Sequence, residues 1–155
     1  MSLEPVELEW TRACHFKKKP GGKRGCLRCG QAKGDRCHMG APPSFNALGS
    51  GSPMAYQGMK QQWERLLTDL LLDAGLPKDL GRVVVEGYAT FPDRARRDQG
   101  NYRVLVEKAL GDALATGGWL EDDDWTRYEF GGLGYRYEKG VSAIRLMVMP
   151  SPQLA

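Results

Sequence analysis

The sequence predicts an α/β domain (α+β) in which a mixed β-sheet is packed by two helices, with a small insert near the N-terminus. Two observations predict this fold. Segments rich in β-branched and aromatic residues alternate with two segments of helical periodicity, in the order strand, insert, helix, strand, helix, strand, strand. The chain of 155 residues is 41% hydrophobic and 26% charged, which suits one domain with a real core. We therefore expect a single domain over residues 1–155.

The first strand is predicted at residues 3–10, where Val6, Leu8 and Trp10 alternate with charged side chains. The apolar periodicity then stops between residues 11 and 40, and all four cysteines of the chain fall in this stretch. We interpret the stretch as a cysteine-rich insert that interrupts the domain after its first strand.

The cysteines predict that the insert binds one structural Zn²⁺. Two of them form a CxxC knuckle flanked by glycines, a spacing typical of tetrahedral zinc sites. The alternative is a disordered basic loop with incidental thiols. A segment without a hydrophobic core, however, needs a bound metal ion or another cross-link to be ordered. Three or four sulfur ligands leave no open coordination position, so the ion would be structural. The predicted ligands are Cys14, Cys26, Cys29 and Cys37, with His15 or His38 able to replace one of them.

The insert is also strongly basic. Residues 12–36 carry nine lysines and arginines against one acid, Asp35. Such a segment suits the phosphates of nucleic acid, which lysines contact without base specificity. The side chains expected to contact DNA are Lys17, Lys18, Lys19, Lys23 and Arg24.

The rest of the fold is predicted from residue 52 onward. Pro53 begins an amphipathic helix whose apolar residues continue to Ala74, and Gly75 is a natural terminator. The remaining elements are a strand at 82–91, a helix at about 101–115, and strands at 125–137 and 141–149, the first of these two broken by glycines as a bulge or hairpin would be.

Residues 91–125 combine an arginine-rich turn with carboxylates on both sides of the second predicted helix. Clustered carboxylates repel one another, so a fold that draws them together is stabilised by a divalent cation such as Mg²⁺. The arginines Arg94, Arg96 and Arg97 would suit a polyanion, and the combination predicts a metal-dependent enzyme acting on phosphodiesters. Acidic and arginine-rich runs are also common in solvated surface loops, which is the alternative.

The N-terminal residues are acidic and lack the apolar region of a signal peptide, and no apolar run approaches the length of a membrane span. We therefore expect a cytoplasmic protein without membrane contact. In a reducing cytosol, four cysteines favour metal ligands or free thiols over disulfides.

Three motifs follow one another in the second half of the chain: PDRxRRDxxN at 92–101, K-x3-D-A-L at 108–114 and W-L-x-D-D at 119–123. With the Pro-Pro-Ser turn at 42–44 they resemble the RusA-like crossover junction endodeoxyribonucleases, Holliday junction resolvases common in phages and prophages. The resemblance implies a RusA-like fold and a homodimer that cuts branched DNA with Mg²⁺ in the cytoplasm of a bacterial host cell.

The resemblance also implies roles for individual residues. Asp98 would be the first Mg²⁺ ligand and Lys108 the lysine that assists it from the helix. Asp122 or Asp123 would be the last ligand. The arginines before Asp98 would hold the DNA backbone.

The sequence departs from the family pattern at Gly100, where the family usually has a second aspartate, and the helix between Asn101 and Lys108 is about one turn longer. Asp112, or Glu107 if the helix is rotated, could supply the missing carboxylate. Two functions therefore stand side by side. One is a Mg²⁺-dependent endonuclease that cleaves branched DNA by phosphodiester hydrolysis, and the other is a non-catalytic zinc-containing DNA-binding module on a resolvase-like fold.

Overall fold

The computed structural model of the chain describes residues 3–11, 16–18, 24–26, 53–91, 94, 99–139 and 141–152. These residues form an α+β architecture, a four-stranded mixed sheet with two helices, as the sequence predicts. The elements are β1 (Val6–Thr11), β2 (Phe16–Lys18), β3 (Arg24–Cys26), α1 (Pro53–Ala74), β4 (Arg82–Phe91), α2 (Gln99–Thr116), β5 (Tyr128–Tyr137) and β6 (Ala143–Ser151).

The main sheet has the strand order β1-β6-β4-β5. Strand β6 is antiparallel to both β1 and β4, whereas β5 is parallel to β4. Strands β1, β4 and β5 therefore run in the same direction and end at one edge of the sheet, where β6 begins. We call this the carboxyl edge; its residues are Thr11, Phe91, Tyr137 and Ala143.

The two helices cover one face of this sheet. Because side chains alternate along a strand, Val83, Val85 and Ala89 of β4 are fully buried in the core. The predicted alternation in β1 is confirmed, since Leu8 and Trp10 are almost completely buried. Val84, Glu86 and Tyr88, which alternate with the buried residues of β4, lie on the opposite face and are partly or fully exposed.

Helix α1 packs against the sheet through the residues that its periodicity predicts. Its Trp63 is buried and meets Trp10 of β1 edge to face, with ring centroids 5.0 Å apart. The helix ends as expected at Gly75, which has a φ of +72°. Leu76 N–H then donates to the carbonyl oxygen of Leu71 and closes the last turn.

Helix α2 and strand β5 differ from the prediction at their ends. Helix α2 begins two residues earlier than expected, and β5 begins at Tyr128 rather than at residue 125. A turn occupies the intervening residues, because the N–H groups of Arg127 and Tyr128 both donate to the carbonyl oxygen of Asp124. The glycine-rich part of β5 contains a bulge, where the register with β4 shifts between Val85 and Glu86.

Strands β4 and β6 approach each other closely at Gly87. A Cβ atom there would overlap the backbone carbonyl oxygen of Arg145 and crowd Leu146. The pairing of these two strands therefore requires a residue without a side chain at this position.

Within the predicted insert, the described residues form one short hairpin, in which β2 pairs antiparallel with β3 and Phe16 lies opposite Cys26. None of the helices in the part of the chain that the structure describes is long and apolar enough to cross a membrane.

Candidate functional site

Four charged side chains from three segments meet beside α2. Lys108 and Asp112 come from α2, Lys60 from α1, and Asp123 from the loop before β5. The Lys108 Nζ atom lies 3.0 Å from Asp112 Oδ1 and 3.4 Å from Asp123 Oδ2. The Lys60 Nζ atom lies 2.5 Å from Asp112 Oδ2. We call these four residues the lysine–carboxylate cluster.

The local sequence explains how the cluster forms. Lys108 and Asp112 are four residues apart on a helix and therefore lie on the same face. The residue before Asp112 is Gly111, where a Cβ atom would lie 2.9 Å from the Tyr128 ring and 3.2 Å from Asp123 Oδ2. Because Gly111 has no side chain, the acidic loop at residues 121–124 can come close to α2.

Tyr128 fixes the end of the acidic loop to α2. Its hydroxyl donates a hydrogen bond of 2.8 Å to the carbonyl oxygen of Glu107. Burial raises the pKa of the Tyr128 phenol far above its usual value, so the group stays protonated and acts as a donor. The position of Asp123 is thus set by a contact five residues further along the chain.

The turn after Asp123 is held by its own charged groups. Asp124 Oδ1 accepts a hydrogen bond of 2.7 Å from the N–H of Thr126 and a second one from its hydroxyl, and these bonds lower the pKa of Asp124. Arg127 forms an ion pair of 2.9 Å with Glu121. Trp125 projects from this turn and is 77% exposed.

The cluster shifts the titration of its members. Burial alone would raise the pKa of Asp112, but hydrogen bonds and charge from Lys60 and Lys108 outweigh it and lower that pKa below its usual value. The hydrogen bond to Asp112 raises the pKa of Lys108 against the opposing effect of burial, with help from the charge of Asp123. Both groups are therefore ionised at neutral pH.

The cluster contains two carboxylates, the ligand type that Mg²⁺ prefers, and both of them contact a lysine. Asp112 and Asp123 both direct a carboxylate oxygen to the Lys108 ammonium, so a positive charge already lies between them. Mg²⁺ prefers one or two carboxylates and keeps several waters. Among the described residues, no group of three or more His, Cys, Asp or Glu side chains could hold a metal ion. Ligands beyond these two would be water or residues outside the described ranges.

Of the four carboxylates that the sequence left open as alternatives, two contact Lys108 and two do not. Asp122 is exposed, and its carboxylate accepts a hydrogen bond of 2.7 Å from the N–H of Asp123 instead of entering the cluster. Glu107 pairs with Arg103 at 3.4 Å. Asp123 and Asp112, rather than Asp122 and Glu107, are the carboxylates that meet Lys108.

Asp98 lies outside the described residues. The next residue, Gln99, is the first residue of α2, and nine residues along a helix amount to about 14 Å between Gln99 and Lys108. Other predicted site residues also lie outside the described residues: Cys14, His15, Lys19, Lys23, Cys29, Cys37, His38, Arg96 and Arg97. The structure describes only the backbone of Lys17, Lys18, Arg24, Cys26, Gly100 and Asn101.

Arg94 is the one arginine of the predicted DNA-binding turn that lies within the described residues. It is exposed, and its guanidinium carbon lies 4.6 Å from the ring centroid of Tyr137. The two residues place a cation and an aromatic ring together at the carboxyl edge.

Lys60 is the member of the cluster that the sequence did not indicate. It lies on α1, 52 residues before Asp112 in the sequence. The apolar periodicity of α1 shows which side of the helix faces the core, but it does not show which residues of α2 the other sides contact. The side chain of Lys60 is only 15% exposed, and a mostly buried lysine has to have an anionic partner.

Comparison with known proteins finds no protein family that matches this chain and no curated protein with significant similarity to it. The resemblance to the RusA-like nucleases therefore rests on the Pro-Pro-Ser turn and the three motifs between residues 92 and 123.

Proposed function

We propose that this protein is a Mg²⁺-dependent endonuclease that cleaves branched DNA, such as Holliday junctions, by phosphodiester hydrolysis in the bacterial cytoplasm. The observation that carries the proposal is the lysine–carboxylate cluster, in which two carboxylates and an ammonium group from different segments meet at the surface. The three motifs that resemble RusA-like resolvases support the same chemistry, and they also suggest a homodimer.

In this proposal, Asp112 and Asp123 would be the Mg²⁺ ligands of the cluster, and Asp98, which the resemblance implies as a ligand, would serve the reaction from the start of α2. The ion would supply a water of lowered pKa and offset the negative charge of the phosphate. Lys108 is half exposed, and its pKa is raised, so it would donate a hydrogen bond to a phosphate oxygen and would not serve as a base. Lys60 would act as a positioning residue that keeps Asp112 ionised and oriented.

Because α2 is long, the contribution of Asp98 to activity can be measured separately from that of the lysine–carboxylate cluster. Metal–oxygen distances of about 2.1 Å require ligands that converge closely, whereas Gln99 and Lys108 are about 14 Å apart along the helix. If Asp98 and Asp123 serve one ion, a double substitution should cost no more activity than either single one. If they serve different steps, the two losses should add.

The decisive experiment is cleavage of a synthetic four-way junction with Mg²⁺ and with EDTA. Asp98→Asn and Asp123→Asn should each lower cleavage at least about 100-fold while junction binding stays intact or becomes tighter, because amidation removes a ligand charge and also a repulsion toward phosphate. The matched control is Asp69→Asn, which makes the same chemical change at an exposed position of α1 and should leave cleavage unchanged.

A second candidate is a non-catalytic DNA-binding module, and Gly100 favours it, since this residue of α2 stands where the family usually has an aspartate. Binding of the junction by the parent protein without cleavage in Mg²⁺ or Mn²⁺ would establish this function. If Asp98→Asn and Asp123→Asn cleave the junction as fast as the parent protein does, these two carboxylates are not part of the active site.

We further propose that the insert binds one structural Zn²⁺ per chain through its four cysteines, and that its basic residues add affinity for the DNA backbone. Elemental analysis of protein purified without added metal should give about one zinc per chain. A zinc content near zero, with all four thiols freely reactive, would contradict this.

A further inference from the structure

Both predicted basic segments follow, in the sequence, strands that end at the carboxyl edge of the sheet. The insert follows β1, and the arginine-rich turn follows β4. Because these strands run in the same direction, their last residues, Thr11 and Phe91, lie at the same edge. The parallel strand β5 also ends there, at Tyr137.

The end of β5 adds cations and an aromatic ring to this edge. Lys139 follows the end of the strand and is exposed, whereas the Arg136 guanidinium lies over the ring of Tyr88, 3.6 Å from its centroid. Tyr137 is 46% exposed even though the Arg94 guanidinium lies over its ring. A large aromatic side chain among cations at a sheet edge resembles the stacking surfaces that proteins use for unpaired nucleotides.

The backbone of this edge is held in place by hydrogen bonds. The N–H of Glu138 donates to the carbonyl oxygen of Phe91 over 3.1 Å, and the N–H of Val141 donates to the carbonyl oxygen of Glu138 over 3.0 Å. The first of these bonds joins the residue after β5 to the last residue of β4. Arg94 and Tyr137 therefore belong to one connected surface.

The opposite edge of the sheet carries an acidic loop. The acidic residues 121–124 precede β5, whose first residue, Tyr128, pairs with Val83 near the start of β4. Glu121, Asp123 and Asp124 form ion pairs with Arg127 and Lys108, and the negative charge that remains in this loop disfavours a polyanion there.

We propose that the carboxyl edge is a DNA-binding surface in which Tyr137 stacks on a base that has lost a stacking neighbour at a branch point, while Arg94 and Lys139 contact the flanking phosphates. Bases within a duplex are already stacked on their neighbours, so the ring of Tyr137 gains a contact only where the stack is interrupted, as it is at a branch point. Tyr137 would thus distinguish branched DNA from duplex, whereas the cations would bind both. This inference rests on the proposed function, because it takes DNA as the ligand.

The test is equilibrium binding in EDTA, without cleavage, to a four-way junction and to a duplex of the same length. Tyr137→Ala should weaken junction binding roughly tenfold or more and leave duplex binding unchanged, and Tyr137→Phe should bind like the parent. Lys139→Ala should weaken both complexes equally and lower the slope of log K against log salt by about 1. The matched control is Arg65→Ala, which removes one exposed charge from α1 and should change neither.

Each outcome bears on a different proposal. If the parent binds the junction and both Tyr137→Ala and Lys139→Ala bind like the parent, the carboxyl edge is not the DNA surface, although the protein remains a DNA-binding protein. If the parent binds neither DNA, this inference and the proposed function both fail. The exposed Lys139 keeps the test valid even if Tyr137→Ala unfolds the protein.

Discussion

At the scale of single residues, Asp112 is the centre of the lysine–carboxylate cluster, because its two oxygens pair with lysines from two different helices. Its side chain is 20% exposed, and that of Lys60 is 15% exposed. Removing the carboxylate charge would leave the Lys60 ammonium mostly buried without an anionic partner. Asp112 therefore stabilises the contact between α1 and α2, whatever its role in chemistry.

We predict that Asp112→Asn lowers the free energy of unfolding by roughly 1–2 kcal/mol at pH 7. The pKa of Asp112 is lowered in the folded state, so its stabilising contribution is complete above the unfolded pKa of about 3.9. It is lost as the pH falls through the folded pKa. Urea unfolding of parent and variant between pH 7 and pH 2.5 should show a difference that shrinks in acid.

The control for this prediction is Asp69→Asn, an exposed carboxylate on α1 whose substitution should change stability by less than about 0.5 kcal/mol. A difference between parent and Asp112→Asn that stays the same down to pH 2.5 would mean that the carboxylate charge is not what stabilises the fold. The comparison also separates a loss of cleavage caused by unfolding from one caused by a missing ligand.

At the scale of elements, the contact between β4 and β6 depends on Gly87. We predict that Gly87→Ala destabilises the protein by about 2–3 kcal/mol, because the added Cβ overlaps the Arg145 carbonyl oxygen and backbone atoms cannot move aside as a flexible side chain can. Gly132→Ala is the matched control, since a Cβ there meets nothing within 4 Å. Chemical denaturation of both variants measures the contrast, and equal stability of the two would contradict it.

The sequence predicted the elements well because each depends on local periodicity. The buried face of α1 and the alternation in β1 follow from the spacing of apolar residues. Pairing between strands does not follow from spacing: β5 and β6 are consecutive in the chain, yet they lie on opposite sides of β4. Periodicity shows which face of a strand is buried, but it carries no information about which strands become neighbours.

The candidate site was predictable to a similar extent. The resemblance implied Lys108 and either Asp122 or Asp123, and Asp112 or Glu107 was the expected replacement carboxylate; the structure brings Lys108, Asp112 and Asp123 together. Lys60 and the close approach at Gly111 depend on how two helices and a loop pack, so no local pattern revealed them. Asp98 lies outside the described residues, and its role stays a prediction.

At the scale of the whole molecule, the basic carboxyl edge and the acidic loop lie at opposite edges of one sheet. We predict that binding and cleavage can be impaired separately. Lys139→Ala should raise the KM for junction DNA several-fold with kcat unchanged, whereas Asp123→Asn should lower kcat at least about 100-fold with little effect on binding. Steady-state and single-turnover cleavage measure both quantities, and loss of kcat in both variants would show that the two edges act as one site.

The position of β6 has a consequence for how the protein is made. This strand comes from residues 143–151, yet it lies between β1 and β4 and pairs with both. During synthesis β1 and β4 leave the ribosome long before their shared partner exists, so each presents unpaired backbone groups to other chains. The sheet can be completed only after residues 143–151 have been synthesised, and a nascent chain released before residue 143 would lack the strand that joins its first strand to the rest of the domain.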